Sequence, residues 1–288
     1  MVPDLNKTDL HIHSTYSDGS YTPAGIIGAA AELGLRVIAL TDHDTIGGIE
    51  NALREAERYY PRLTVIPGVE ISATYKCSLH ILGYFRPDNY LNIGEFINMM
   101  NRERDIRNLS IIDRLNGLGV NITPDEVADI AGKRVFGRPH IAAALVKRGL
   151  ASTISSAFNE YLSGGRKAYV SKRSLPPSEC VAAIAEAGGL PVIAHPSQTG
   201  LRIRELASLA TTLAESGLYG IEAYYSEHTK TETEKYLRLV ENLGLQSAGG
   251  SDFHGDYRKH IKLGSGRDNN LNIPDSVAEK VLSALRAK

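Results

Sequence analysis

Short apolar runs alternate with segments that repeat apolar residues at helical spacing, and this rhythm limits the chain more than any other feature. The run "TDLHI" is followed by "TPAGIIGAAAELG", "RVIAL", "GGIENALREAERYY" and "LTVIPGVEISA". Thr22 and Pro23 suit the start of the first helix, Gly34 its end, and Val37 to Leu40 a strand covered on both faces. Strands joined through helical crossovers run parallel in one sheet. The rhythm resumes with "PSECVAAIAEAGG", "LPVIAHP", "IRELASLATTLAESG", "YGIEAYYS", "TKTETEKYLRLVENLG" and "LQSAGGSDFH", and ends in the helix "PDSVAEKVLSALRA". Periodicity leaves open whether such a sheet closes into a barrel or stays open.

From residue 92 to residue 165 the texture is helical without a convincing strand, which predicts a small helical subdomain inserted between barrel parts 1–91 and 166–288. A chain of 288 residues has room for both. Its formal net charge of -1 provides no broad basic field, so an extended duplex nucleic acid is not an expected partner. The two cysteines, Cys77 and Cys180, form no CxxC pair, and no apolar run is long enough for a membrane span. With no secretion signal in "MVPDLNKTDL", a cytoplasmic location is expected. Neither GxGxxG after a first strand nor GxxxxGK[ST] occurs, which removes the motifs for a nucleotide cofactor.

The polar residues at the strand ends carry the chemistry. His11 and His13 are two apart on an extended segment, so their side chains share a side, and Asp18 follows closely. His43 ends "ALTDH", Glu70 lies in "PGVEIS", His80 opens "HILGYF", His195 ends "LPVIAH", and Asp252 and His254 follow "SAGG". In an α/β architecture these ends converge on one face. Imidazole and carboxylate together suit Zn²⁺, Mn²⁺ or Fe²⁺, and the set is too large for one tetrahedral ion. Two or three ions with Glu70 as the bridge fit better, and hydrolysis of phosphate esters by a metal-activated water is the leading chemistry. Arg138 in "GRPHIA", or Lys172 and Arg173 in "VSKRS", could add positive charge.

The motifs "DLHIHSTYSDG", "ALTDHDTIGG", "PGVEIS", "HILGY", "GRPHIA", "VIAHP", "IEAYYSEHT" and "GGSDFHG" resemble the PHP (polymerase and histidinol phosphatase) family of metal-dependent phosphoesterases over most of the chain. That resemblance implies a distorted (β/α)7 barrel with a two- or three-metal cluster at the C-terminal strand ends. It assigns His11, His13, Glu70 and Asp252 to one ion, Glu70, His80 and His195 to a second, and Asp18, His43 and His254 to a third. Asp42 would support a ligand or handle a proton. Within the family the insert resembles the branch acting on nucleoside phosphates, 3′,5′-bisphosphates and the 5′ ends of short single-stranded RNA. Arg138, His140 and Lys172 would then contact substrate, and His228 would line the pocket. The loop "PSQTGLR" after His195 departs from the pattern and leaves the ribose or base contact open.

Three alternatives stay open at this point. Barrel amidohydrolases that cleave C–N bonds also carry HxH after the first strand, but commonly with a bridging lysine that has no clear equivalent here. A histidinol-phosphate-like phosphatase fits the motifs less well. A catalytically silent binding domain would be expected to have lost ligands, and this chain keeps the set.

Overall fold

The computed structural model describes residues 7–131, 137–171 and 175–288. Among these, two compact units separate by contact, residues 1–94 with 175–288 and residues 95–174.

The larger unit is a seven-stranded barrel. Its strands are β1 (Thr8–Ile12), β2 (Val37–Leu40), β3 (Thr64–Thr74), β4 (Ser78–Tyr84), β5 (Leu190–Ile193), β6 (Gly220–Tyr225) and β7 (Gln246–Gly250), paired in that order. The helices α1 (Pro23–Glu32) and α2 (Ile49–Tyr59) make the first two crossovers. All pairs are parallel except those of β4, which runs antiparallel to both β3 and β5. The cause is local: Tyr75, Lys76 and Cys77 are too short a link for a crossover, so β3 must return as a hairpin. This reversal is the distortion, and it brings His80, at the start of β4, opposite Ser72 near the end of β3.

The barrel closes between its last and first strands. The Asp252 amide donates to the His11 carbonyl at 2.9 Å, and the His13 amide donates to that of Phe253, also at 2.9 Å. Gly250 permits this approach, because a Cβ there would lie 2.4 Å from the His11 nitrogen. Leu10, Ala39, Ile66, Leu82, Val192 and Ala248 come from six different strands yet share one cluster, which therefore fills the interior. The last helix of the chain, Asp275–Arg286, adds Val277, Val281 and Leu285 to that cluster. Outside, Ile38, Leu40 and Val65 pack against Ile26, Ile27 and Ala30 of α1 and Ala52 and Ala56 of α2. The pairing of β1 with β2 slips between Asp9 and Ile12, so that Leu10 joins the inner cluster and Ile12 the outer one.

The smaller unit has its own core, with Ile111, Ile112, Leu115, Ile141, Leu145 and Leu162 among its buried residues. It holds most of α3 (Gly94–Gly117), then α4 (Pro124–Ile130), α5 (Arg138–Lys147) and α6 (Ile154–Ala157). The stretch Phe158–Leu162 continues α6 as a turn of π-helix rather than the plain helix its sequence predicts. No helix among the described residues is long and apolar enough to cross a membrane.

Candidate metal centre

At the C-terminal strand ends the structure assembles three overlapping groups of potential ligands. The first is His11, His13, Glu70 and Asp252, the second His43, Glu70 and His80, and the third His13, Asp18, His43 and His254. In the first group, His13 Nε2 lies 3.2 Å from both Glu70 Oε2 and Asp252 Oδ1, and His11 Nε2 lies 3.2 Å from Glu70 Oε2. The other Glu70 oxygen, Oε1, is 2.8 Å from both His80 Nδ1 and His195 Nε2. Glu70 thus faces the first group with one oxygen and His80 and His195 with the other, as a bridging carboxylate must. Asp18 approaches His254 Nε2 at 3.3 Å, His13 Nδ1 at 3.6 Å and His43 Nε2 at 3.8 Å. His43 differs from expectation in reach: its Nδ1 is 3.1 Å from Glu70 Oε2, so it joins two groups.

The donor chemistry fits divalent cations. Burial would raise the Glu70 carboxyl, but His43, His11 and His80 hold it well below the usual carboxylate range; Asp252 is held down in the same way by His11 and His13. Burial opposes a charge on His13, yet Asp252 and Glu70 push it up to about 10. Burial pushes His43 down to about 3 instead. Buried carboxylates at this density require positive charge, supplied either by protons on the imidazoles or by metal ions in their place. Four buried imidazole nitrogens have no hydrogen-bond partner among the described residues, and three of them, His43 Nδ1, His195 Nδ1 and His254 Nε2, belong to candidate ligands; the fourth is His228 Nε2.

Surrounding groups fix which nitrogen each imidazole presents. Glu222 is wholly buried; its Oε1 accepts from His11 Nδ1 at 2.9 Å and its Oε2 from the His195 amide at 2.6 Å. With the Nδ1 proton held there, the Nε2 lone pair of His11 faces Glu70. His254 Nδ1 donates to the Asp252 carbonyl at 2.8 Å, which turns Nε2 towards Asp18. The Tyr225 hydroxyl and Arg258 Nη1 both donate to Asp252 Oδ2, at 2.9 Å and 2.6 Å, leaving Oδ1 to the histidines. Asp9, buried within β1, accepts from Ser251 and Gly264; burial pushes it up to about 6 against those bonds. His195 (φ 25°) and Asp252 (φ 59°) adopt the left-handed backbone region without being glycine, a cost of ~1–3 kcal/mol each that clusters at functional sites.

The other expected site residues lie elsewhere. Asp42 spends its oxygens on Ser14 and Ser17, with contacts of 2.6–2.7 Å, and so pins the loop that carries Asp18. His228 Nδ1 donates to the Ala223 carbonyl at 2.9 Å, its ring packed between Tyr225 and Tyr236. Arg138 and His140 open α5 in the smaller unit. There Arg138 Nη1 donates to the Leu162 carbonyl at 3.3 Å, and His140 Nδ1 accepts from the Gly137 amide at 3.1 Å as a helix cap. Lys172 and Arg173 lie outside the described residues. Glu222, Tyr225, Arg258 and Asp9 escaped the sequence reading. The signal for Glu222 and Asp9 was an acid inside an apolar strand; Arg258, in a turn after β7, had none.

The PHP domain model matches residues 9–162. A 5′-3′ exoribonuclease of Haemophilus influenzae is 32% identical over 272 residues, covering 94% of this chain and 96% of that protein. A 3′,5′-nucleoside bisphosphate phosphatase of Chromobacterium violaceum is 30% identical, covering 87% of this chain and 88% of that one. A crystal structure from Bifidobacterium adolescentis, classed as a metal-dependent phosphoesterase, superposes with a TM-score of 0.73 at 30% identity over 96% of both chains. With the barrel, the antiparallel β4 and the clustered ligands in place, the chain belongs to the PHP-domain family and is a metal-dependent phosphoesterase.

Proposed function

We propose that this protein removes phosphate from nucleotides, acting on nucleoside monophosphates, 3′,5′-bisphosphates or the 5′ ends of short RNA, with two or three divalent ions (Mn²⁺, Fe²⁺ or Zn²⁺) in the centre. The observation that carries this is the overlap of three ligand groups, two of which share Glu70 while the third joins them through His13 and His43. His11, His13, Glu70 and Asp252 would hold one ion, Glu70, His80 and His195, with His43 nearby, a second, and Asp18, His43 and His254 a third. Bound ions would supply the positive charge that phosphoryl oxygens need and would acidify water at neutral pH.

The remaining work falls to the chain. Glu222 keeps the His11 lone pair aimed at the centre and ties the His195 backbone to it. Tyr225 and Arg258 together hold Asp252 Oδ2, which narrows the rotation of that carboxylate. Asp42 positions the Asp18 loop through Ser14 and Ser17. Arg138, with His140 and Lys172, would orient the substrate, since a guanidinium matches two phosphoryl oxygens at once. His228 would border the pocket beside Tyr225. Resemblance to an exoribonuclease and a bisphosphate phosphatase supports nucleotide substrates. C–N hydrolysis loses ground, because Glu70, with one oxygen towards His11 and His13 and the other towards His80 and His195, takes the bridging place that a lysine commonly holds in barrel amidohydrolases.

The test is phosphate release after reconstitution with Mn²⁺ across sugar phosphates, nucleoside monophosphates, 3′,5′-bisphosphates and 5′-phosphorylated oligonucleotides. Nucleotides should lead the panel. Activity confined to sugar phosphates or cyclic amides would overturn the proposal.

A further inference from the structure

The outer face of α1 and α2 carries two adjoining clefts that the chemistry above does not use. The first, about 600 Å³, opens at Tyr16 on the loop between His13 and Asp18 and runs along α2 past Arg54, Glu55 and Arg58 to Tyr59. The second, about 750 Å³, shares Tyr59 and continues past Tyr60, Arg36 and Arg62 to the starts of β2 and β3. Together they form one path from the ligand face to the opposite end of the barrel. Four arginines and a single acid, Glu55, border it, in a chain whose net charge is -1.

Aromatic faces accompany the charge. Tyr16 is 42% exposed and Tyr59 55%, so both rings offer a face to solvent. Both are held in place: the Tyr16 hydroxyl accepts from Asn51 Nδ2 at 2.9 Å, the Asn51 carbonyl accepts from Arg54 at 2.9 Å, and the Arg58 guanidinium lies 5.0 Å from the Tyr59 ring centre. Rigid tyrosines alternating with arginines suit single-stranded nucleic acid, whose unpaired bases stack on rings while its phosphates meet guanidinium groups. A duplex stacks its bases internally and cannot use the rings. From Asn51 to Tyr59 the helix spans roughly 12 Å at ~1.5 Å per residue, enough for a few nucleotides.

We infer that this path binds the body of a single-stranded RNA whose terminal phosphate sits at the metal centre. The inference rests on the nucleotide reading above and extends it from an end to the chain behind that end. Tyr16 and Tyr59 are 43 positions apart and come to line one path only through folding.

The experiment compares the Mn²⁺-reconstituted wild type with Tyr59→Ala, Tyr59→Phe and the double variant R58A/R62A. Substrates are a nucleoside monophosphate and 5′-phosphorylated single strands of two to ten nucleotides. Wild-type kcat/KM should rise with length over the first few nucleotides. Y59A and R58A/R62A should lose roughly tenfold on the decamer, within the range of one lost stack, and stay within about twofold of wild type on the mononucleotide. Y59F should recover wild-type behaviour. Removing two phosphate contacts should also flatten the dependence of log kcat/KM on log salt by about 1.4, at ~0.7 per contact. Equal loss on both substrates, an unchanged salt slope, or equal inhibition by a blunt duplex would overturn the inference. Should no nucleotide be hydrolysed at all, the nucleotide reading fails instead; fluorescence anisotropy of the labelled decamer on wild type and R58A/R62A then decides the path, and equal affinity would overturn it.

Discussion

Replacing Glu222 with Gln probes the centre without removing a ligand. The wild-type carboxylate accepts two hydrogen bonds with no room to spare, one from His11 Nδ1 at 2.9 Å and one from the His195 amide at 2.6 Å. An amide of the same shape offers one oxygen and one NH₂, so it must present a donor to a donor. If NH₂ faces His11, the ring has to move its proton to Nε2, and that nitrogen can no longer bind a metal. If NH₂ faces His195, a wholly buried peptide N–H loses its acceptor. Either arrangement costs ~1–3 kcal/mol, which at ~1.4 kcal/mol per decade is roughly 5- to 150-fold in metal affinity, close to the 10- to 100-fold usual for groups that orient a ligand. Metal titration of chelator-treated protein, with kcat/KM at limiting and saturating Mn²⁺, measures it. The loss should be large at limiting metal and shrink at saturation. An E222Q protein that binds metal and turns over like wild type under both conditions would refute the positioning role.

Tyr225→Phe removes one of two donors on Asp252 Oδ2 and should lower metal affinity by ~3- to 10-fold, read by the same titration. Asp9→Asn leaves the buried Gly264 or Ser251 amide facing a donor, and thermal denaturation should show a loss of ~1–3 kcal/mol with ligand geometry intact. Metal loading must displace protons, because His13 keeps its own up to about 10 in the chelated protein; apparent affinity should rise with pH from 6 to 9, and calorimetry in buffers of different ionisation enthalpy should show proton release on binding. Arg138→Ala should leave metal content and folding unchanged while kcat/KM on a nucleotide phosphate falls by roughly ten- to a few hundred-fold, the worth of a charge-assisted bond.

The alternating rhythm made the helix-crossed sheet legible because crossovers carried their own start and stop residues, as Thr22, Pro23 and Gly34 do for α1, whereas its closure into a barrel was implied only by the family resemblance. The nine candidate ligands stood out for a related reason: His and acids contrast with apolar strands, and parallel strands gather their ends on one face. Reversal of β4 was hidden in a three-residue link whose meaning depends on the pairing of β3. Glu222 lies within "IEAYYSEHT" without a local sign of its role, which appears only when β6 packs behind His11, 211 positions away in sequence. His43 gave a partial answer: the strand end predicts its presence, while its reach to both Glu70 and Asp18 depends on ring placement. Arg258 and the Tyr16–Tyr59 path are products of tertiary folding with no local pattern to announce them.

Inorganic phosphate release from a nucleoside 3′,5′-bisphosphate, measured while Mn²⁺ is titrated stepwise into chelator-treated protein and bound metal is counted per chain, tests the central claim most directly. Glu70 divides its two oxygens between neighbouring ligand sets, so activity should stay low through the first equivalent and climb as further ions bind. Full activity at one ion per chain, or no phosphate release at any loading, would contradict the account.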